Sequence, residues 1–238
     1  MTVCLRSISG RQAVLFITNA RCHATSTHNL SEVIAKAIFN EENRNKGLER
    51  LQRMGPLRTK QHVPAKQAAV LVPFCIVNEE ISLLYTLRSS TLKNYSGQVS
   101  FPGGMQDETD SDLEETACRE TCEEIGLQKS DIEIWGHGSF VGTKDNEVVV
   151  CPYLGYIGHV NVKDLAINRT EVESVFTVPL RLFCDSSNCD YMEYPGGYTL
   201  PVFSGGEHKI WGMTAIITHT VLKSLIPDLY KNEVKLFR

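Results

Sequence analysis

The chain has 238 residues, 42% hydrophobic and 22% charged, with 17 Gly and 9 Pro, a balance that excludes disordered, fibrous and collagen-like classes. A compact chain of this length buries roughly 70% or more of its unfolded surface, so neither disulfides nor a structural metal is needed to hold one domain together. The formal net charge of -4 gives no electrostatic ground for a nucleic-acid or anionic-membrane partner, and no run of about 18 apolar residues predicts a membrane span.

Residues 1–31 carry Arg6, Arg11 and Arg21, several Ser and Thr, and no Asp or Glu. This basic, acid-free stretch resembles an organelle transit segment, so mitochondrial import and removal are expected. The eight cysteines are scattered and form no CxxC pair, which argues for a reduced compartment over a zinc ribbon or a redox motif. Asn29, Asn94 and Asn168 begin N-x-S/T sequons, a pattern with meaning only in a secreted chain.

Leu30, Val33, Ile34, Ala37 and Ile38 recur at helical spacing; Gly47 interrupts the pattern, and Leu48 and Leu51 resume it. Two short helices are expected, then a linker around Pro56 to Pro64, so that residues 32–64 precede a folded unit over 65–231 with a tail at 232–238. Ala68 to Val77 and Ile81 to Arg88 flank Asn78-Glu79-Glu80 and predict a hairpin of buried strands. Asp110 to Ile125 lacks Gly and Pro and predicts a helix, capped by Asp110 or Ser111 and stopped by Gly126. Strand-like runs follow at Ile132–Gly136, Val148–Ile157, Val175–Val178, Tyr198–Phe203 and Lys209–Gly212, before a closing helix over Met213–Leu225. Many strands with few helices predict a mixed α/β sandwich, not a doubly wound parallel sheet.

The central helix carries the chemistry. At 100° per residue Glu120, Glu123 and Glu124 share an arc of about 100°, while Cys118, Cys122 and Ile125 face the other way and are expected to pack on a sheet. Like charges one turn apart cost a few tenths of a kcal/mol. A hard divalent cation such as Mg2+ or Mn2+, which takes carboxylate, phosphate and water oxygens, removes that cost. A solvated acidic face explains the same three residues, and the helix alone does not choose.

Gly104, Arg119, Glu120, Glu123, Glu124, Gly126 and Leu127 together resemble the Nudix box, Gx5Ex7REUxEExGU, where U is aliphatic. Arg119 stands one residue further from Gly104 than the general pattern, Thr121 occupies an aliphatic position, and the place of the first box Glu falls on Asp110 or Ser111. Upstream, Leu84-Tyr85-Thr86-Leu87-Arg88-Ser89, Lys93, Gly97 and Phe101-Pro102-Gly103-Gly104 keep every interval of the coenzyme A diphosphatase subgroup of Nudix enzymes, whose box has the longer spacing.

The resemblance implies an α/β Nudix fold, a mixed β-sheet sandwiched between helices, and hydrolysis of coenzyme A or acyl-CoA by a monomer or homodimer. It implies that Glu120, Glu124 and Glu123 hold Mg2+ or Mn2+ with the Gly104 carbonyl, and that Arg119 orients the carboxylates. Gly103 and Gly104 would line the substrate, and Arg88 and Lys93 are candidates for the 3′-phosphate of coenzyme A or for plain surface charges. Position along the chain does not fix the general base; Glu171 is one candidate. Competing expectations are another nucleoside diphosphate derivative (ADP-ribose, NADH, a cap) and a non-catalytic Nudix binding module. A P-loop or dinucleotide-binding fold is not expected, because neither GxxxxGK[ST] nor GxGxxG is present.

Overall fold

The computed structural model describes residues 29–57, 66–92, 95–143, 147–194 and 197–236. Residues 1–28 of the expected transit segment, most of the expected linker, and Lys93 lie outside the described residues.

The hairpin forms as the sequence predicts. β1 (Lys66–Val77) and β2 (Glu80–Arg88) pair antiparallel with Val77 opposite Glu80. The two residues between them, Asn78 and Glu79, have φ of 49° and 64°, the positive values that a tight hairpin turn matching strand twist requires. The other strands of this sheet are β3 (Val99–Ser100), β4 (Gly103–Met105), β5 (Glu133–His137), β6 (Val141–Gly142), β7 (Val148–His159) and β8 (Val172–Pro179). The central path runs β3-β2-β1-β7-β5, and β1 pairs with β7 in parallel while its other partners are antiparallel.

One edge of β1 is divided between two partners. Phe74 to Val77 pair with β2, whereas Ala68 to Val70 pair with β4. The sheet therefore opens where the chain carries Gly103-Gly104.

Alternation along β1 separates two cores. Leu71 and Cys75 pack with Leu84, Ile125, Ile157, Val172 and Val175 on the face that receives α3 (Leu113–Ile125). Val72 and Phe74 pack on the other face with residues of α1 (29–39), α2 (Glu41–Arg53) and α5 (Gly212–Leu225). Covering both faces explains why β1 and β2 read as nearly unbroken apolar runs. The result is the expected helix–sheet–helix sandwich.

The N-terminal helices break at a different place from the one expected. Asn40 caps α2, its side chain accepting from the Asn43 amide at 2.9 Å. Gly47 instead lies buried inside α2, where an added Cβ would stand 2.6 Å from Leu225 Cδ2 and 3.0 Å from Leu225 Cα. Its bareness lets α2 approach α5, so the helical pattern skips a residue without ending. Ile34, Ile38, Leu48 and Leu51 pack into the core that α5 shares.

One further expectation is corrected. Of Lys209–Gly212 only Ile210 pairs, with Phe203, and Gly212 already opens α5. In its place β9 (Cys189–Tyr194) pairs with β10 (Tyr198–Phe203). Most of β9 is exposed, so it carries no apolar run for a sequence reading to find.

Candidate metal centre

α3 begins at Asp112, whose side chain accepts from the Glu115 amide at 2.8 Å. Neither Asp110 nor Ser111 caps it as expected. Gly126 ends it at φ 75°, its amide donating to Cys122 O at 2.9 Å, the left-handed stop that glycine adopts at little cost. The lower face of the helix lies on β1 and β4 and brings Glu120 and Glu124 over the opening in the sheet. Cys118 is buried on the sheet side as expected, whereas Cys122 is only half-buried.

The acidic arc does not act as one unit. The Glu124 side chain is 2% exposed and that of Glu120 15%, but that of Glu123 is 54% exposed. The third member of the cluster is Glu171, just before β8: one carboxylate oxygen each from Glu120, Glu124 and Glu171 lie within 4.8 Å of one another. Glu123 stays on the rim, accepting from Arg119 Nη1 at 3.3 Å.

Asn168 ties Glu171 to the helix. Its backbone amide donates to Glu124 O at 2.9 Å, and its Nδ2 donates to Glu171 Oε1 at 3.1 Å. In sequence Asn168 stands out only as the start of a sequon. An Asx-type turn at Asn168-Arg169-Thr170 was the one local signal available, since its partner on α3 lies 44 residues upstream.

The two glycines set the distance between strand and helix. At Gly104 an added Cβ would stand 2.4 Å from Glu120 Cδ, and at Gly103, with φ 149°, one would stand 2.3 Å from Ala69 O. Only bare backbone fits beneath the carboxylates.

Arg119 organises the approach. Its Nε and Nη2 donate to the two oxygens of Asp110 at 2.8 and 2.9 Å, Nη1 donates to Glu120 Oε1 at 3.0 Å, and Nη2 also reaches Met105 O at 3.2 Å. Of the two residues at the longer box's extra position, Asp110 is the one that partners the arginine, while the Ser111 amide donates to Glu115 Oε2 at 2.8 Å. The guanidinium holds the Asp110 carboxyl well below the usual carboxylate range, helped by Thr116 Oγ1. Thr121, in the aliphatic box position, is fully buried and donates to Ala117 O at 2.6 Å, so its hydroxyl is satisfied within the helix.

Burial pushes the Glu124 carboxyl up to about 8; Arg88 opposes the shift, and Glu120 and Glu171 add to it. Burial is also the main reason that Glu120 is raised. Glu124 Oε2 is buried and has no hydrogen-bond partner. An orphaned carboxylate oxygen among other carboxylates is a costly arrangement in metal-free protein, and it fits a hard divalent cation with oxygen ligands. Arg88 lies on the same side, its Nη1 3.9 Å from Glu124 Oε1.

The family model for the NUDIX domain matches residues 65–187. Among curated proteins, "Mitochondrial coenzyme A diphosphatase NUDT8" of Mus musculus is 43% identical over 169 residues, covering 69% of this chain and 80% of the relative. Its Homo sapiens counterpart is also 43% identical, over 69% of this chain and 71% of the relative. "Peroxisomal coenzyme A diphosphatase NUDT7" of Mus musculus is 38% identical, over 69% of this chain and 72% of the relative.

Proposed function

The chain belongs to the Nudix family, and we propose that it hydrolyses the diphosphate bond of coenzyme A and acyl-CoA to 3′,5′-ADP and 4′-phosphopantetheine or its acylated form. The observation that carries this reading is the convergence of Glu120, Glu124 and Glu171, with Glu124 buried, at the sheet opening over Gly103-Gly104. The names of the relatives supply the substrate class.

Glu120, Glu124 and Glu171 would hold divalent cations, with Glu123 at the rim of the same face; the hard oxygen set suits both Mg2+ and Mn2+. A cation bound there neutralises charge on the diphosphate oxygens and lowers the pKa of an attacking water. Arg119 keeps Glu120 aimed inward through its fork on Asp110, and so acts as a positioning residue. Glu171, braced by Asn168, faces Glu120 and Glu124 and can accept the proton of the attacking water. The bare backbone at Gly104 leaves room for the Glu120 carboxylate to sit against the strand.

Coenzyme A, acetyl-CoA, ADP-ribose and NADH are incubated with purified protein in Mn2+ and in Mg2+, with products identified by mass spectrometry. 3′,5′-ADP from the two thioester-carrier substrates at the highest kcat/KM is expected, and Glu124→Gln abolishes turnover at saturating Mn2+. Preferred cleavage of ADP-ribose or NADH would overturn the substrate assignment. Binding without any product would favour a non-catalytic module. The acid-free residues 1–31 favour the mitochondrion over the peroxisome, which imaging of the full chain with a C-terminal fluorescent fusion decides.

A further inference from the structure

Arg88 closes β2, with its backbone amide donating to Gln98 O at 3.0 Å and its carbonyl accepting from the Gly97 amide at 3.0 Å. This pairing fixes the arginine at the end of a buried strand beside Val172, next in sequence to Glu171. Its side chain is 28% exposed, and its Nη1 stands 3.9 Å from Glu124 Oε1. At that separation the two groups form an ion pair but no hydrogen bond.

Two buried polar atoms are left over at this point. Arg88 Nε is a donor without an acceptor, and Glu124 Oε2 is an acceptor without a donor. Neither has a hydrogen-bond partner in the other or elsewhere among the described residues, and each orphan of this kind carries a desolvation cost. A phosphoryl group accompanied by a divalent cation satisfies both at once: the cation takes the carboxylate oxygen, and a phosphoryl oxygen accepts from the guanidinium. A distant 3′-phosphate would do nothing for Glu124.

We propose that Arg88 binds a phosphoryl oxygen of the scissile diphosphate, beside the cation held by Glu124, and not the 3′-phosphate of coenzyme A. The inference rests on the diphosphatase reading above. It revises the role suggested for Arg88 by sequence, and it makes Arg88 a catalytic residue whose planar donors face the charge being redistributed in the reaction.

The test compares wild type, Arg88→Ala and Arg88→Lys in three measurements. In kinetics with Mn2+, kcat/KM of Arg88→Ala falls by the same factor, about tenfold to hundredfold, for coenzyme A and for dephospho-coenzyme A. In calorimetry, Mn2+ alone binds Arg88→Ala as tightly as wild type or more tightly, because a neighbouring positive charge has been removed. Methylenediphosphonate, a non-hydrolysable diphosphate, binds the Mn2+-loaded variant about tenfold or more weakly than wild type. Arg88→Lys, which keeps the charge but loses the fork, recovers part of both losses. A loss confined to coenzyme A and spared for dephospho-coenzyme A would overturn the proposal in favour of the 3′-phosphate. Weakened binding of Mn2+ alone would reduce Arg88 to a prop for Glu124. If wild type cleaves neither substrate, the diphosphatase reading itself fails, while undiminished methylenediphosphonate binding by Arg88→Ala counts against Arg88 alone.

Discussion

The Cβ that Gly104 lacks would stand 2.4 Å from Glu120 Cδ, so the position of that carboxylate depends on an atom being missing from the strand below it. Gly104→Ala is expected to push Glu120 away from Glu124 and Glu171 without disturbing the β1–β4 pairing. A displacement of about 1 Å in a reacting constellation costs roughly a hundredfold. The measurement is kcat at saturating Mn2+ alongside a melting curve; a fall in kcat of that order with a nearly unchanged Tm is the expected result. Wild-type kcat would show that Glu120 does not need its observed place. Arg119 shows the same dependence through polar contacts, because one guanidinium spans Asp110, Glu120, Glu123 and the Met105 carbonyl.

Elements differ in how much of themselves they declare in sequence. The hairpin and α3 are local objects: an apolar run, two turn residues with positive φ, a glycine stop. Each was legible. The break between α1 and α2 is not legible in sequence, because Gly47 looks like an interruption when only neighbours along the chain are considered, yet in three dimensions it faces Leu225. Ala at this position has the better helix propensity by ~1 kcal/mol, but contact at 2.6 Å with Leu225 Cδ2 and 3.0 Å with its Cα forces α2 and α5 apart. Overpacking of about 1–3 kcal/mol less that gain of ~1 kcal/mol leaves Gly47→Ala with an expected net destabilisation of up to about 2 kcal/mol. Chemical denaturation measures it; stabilisation would mean that the contact relaxes freely. The candidate site divides along the same line. Helical spacing puts Glu120, Glu123 and Glu124 on one arc and the resemblance to the Nudix box gives them a role, whereas the grouping with Glu171 depends on β8 returning beside β2, a long-range pairing with no local signature.

At the scale of the whole molecule, two buried groups shape stability in opposite directions. Burial drives the His219 imidazole down to about 4, and its Nδ1 lies 2.8 Å from Tyr230 Oη. A base lowered in this way contributes stability above its ordinary value near 6.5, lost as pH falls through about 4. Glu124 is an acid raised to about 8, so its contribution is complete below its ordinary value near 4.5 and is lost as pH rises through about 8. Between about 4.5 and 6.5 the two slopes, each ~1.4 kcal/mol per pH unit, cancel. In EDTA, Tm is expected to show a plateau over that window and to fall from about 6.5 to 8. Glu124→Gln should flatten the alkaline fall, and His219→Gln should remove the compensating slope and leave stability declining from about 4.5 upward. Saturating Mn2+ lifts the alkaline limb of the wild type because it stabilises ionised Glu124. A wild-type Tm that rises steadily to pH 8 without metal would contradict the buried charge.

The nitrogen that bonds Glu171 Oε1, Asn168 Nδ2, is the atom an oligosaccharyltransferase would modify at the Asn168-Arg169-Thr170 sequon. An attached sugar would put its bulk between the amide and the carboxylate, detaching Glu171 from the end of α3. A copy modified at this nitrogen would have the brace on its third carboxylate crowded by the sugar, so the same side chain links a sequence pattern to the geometry of the centre.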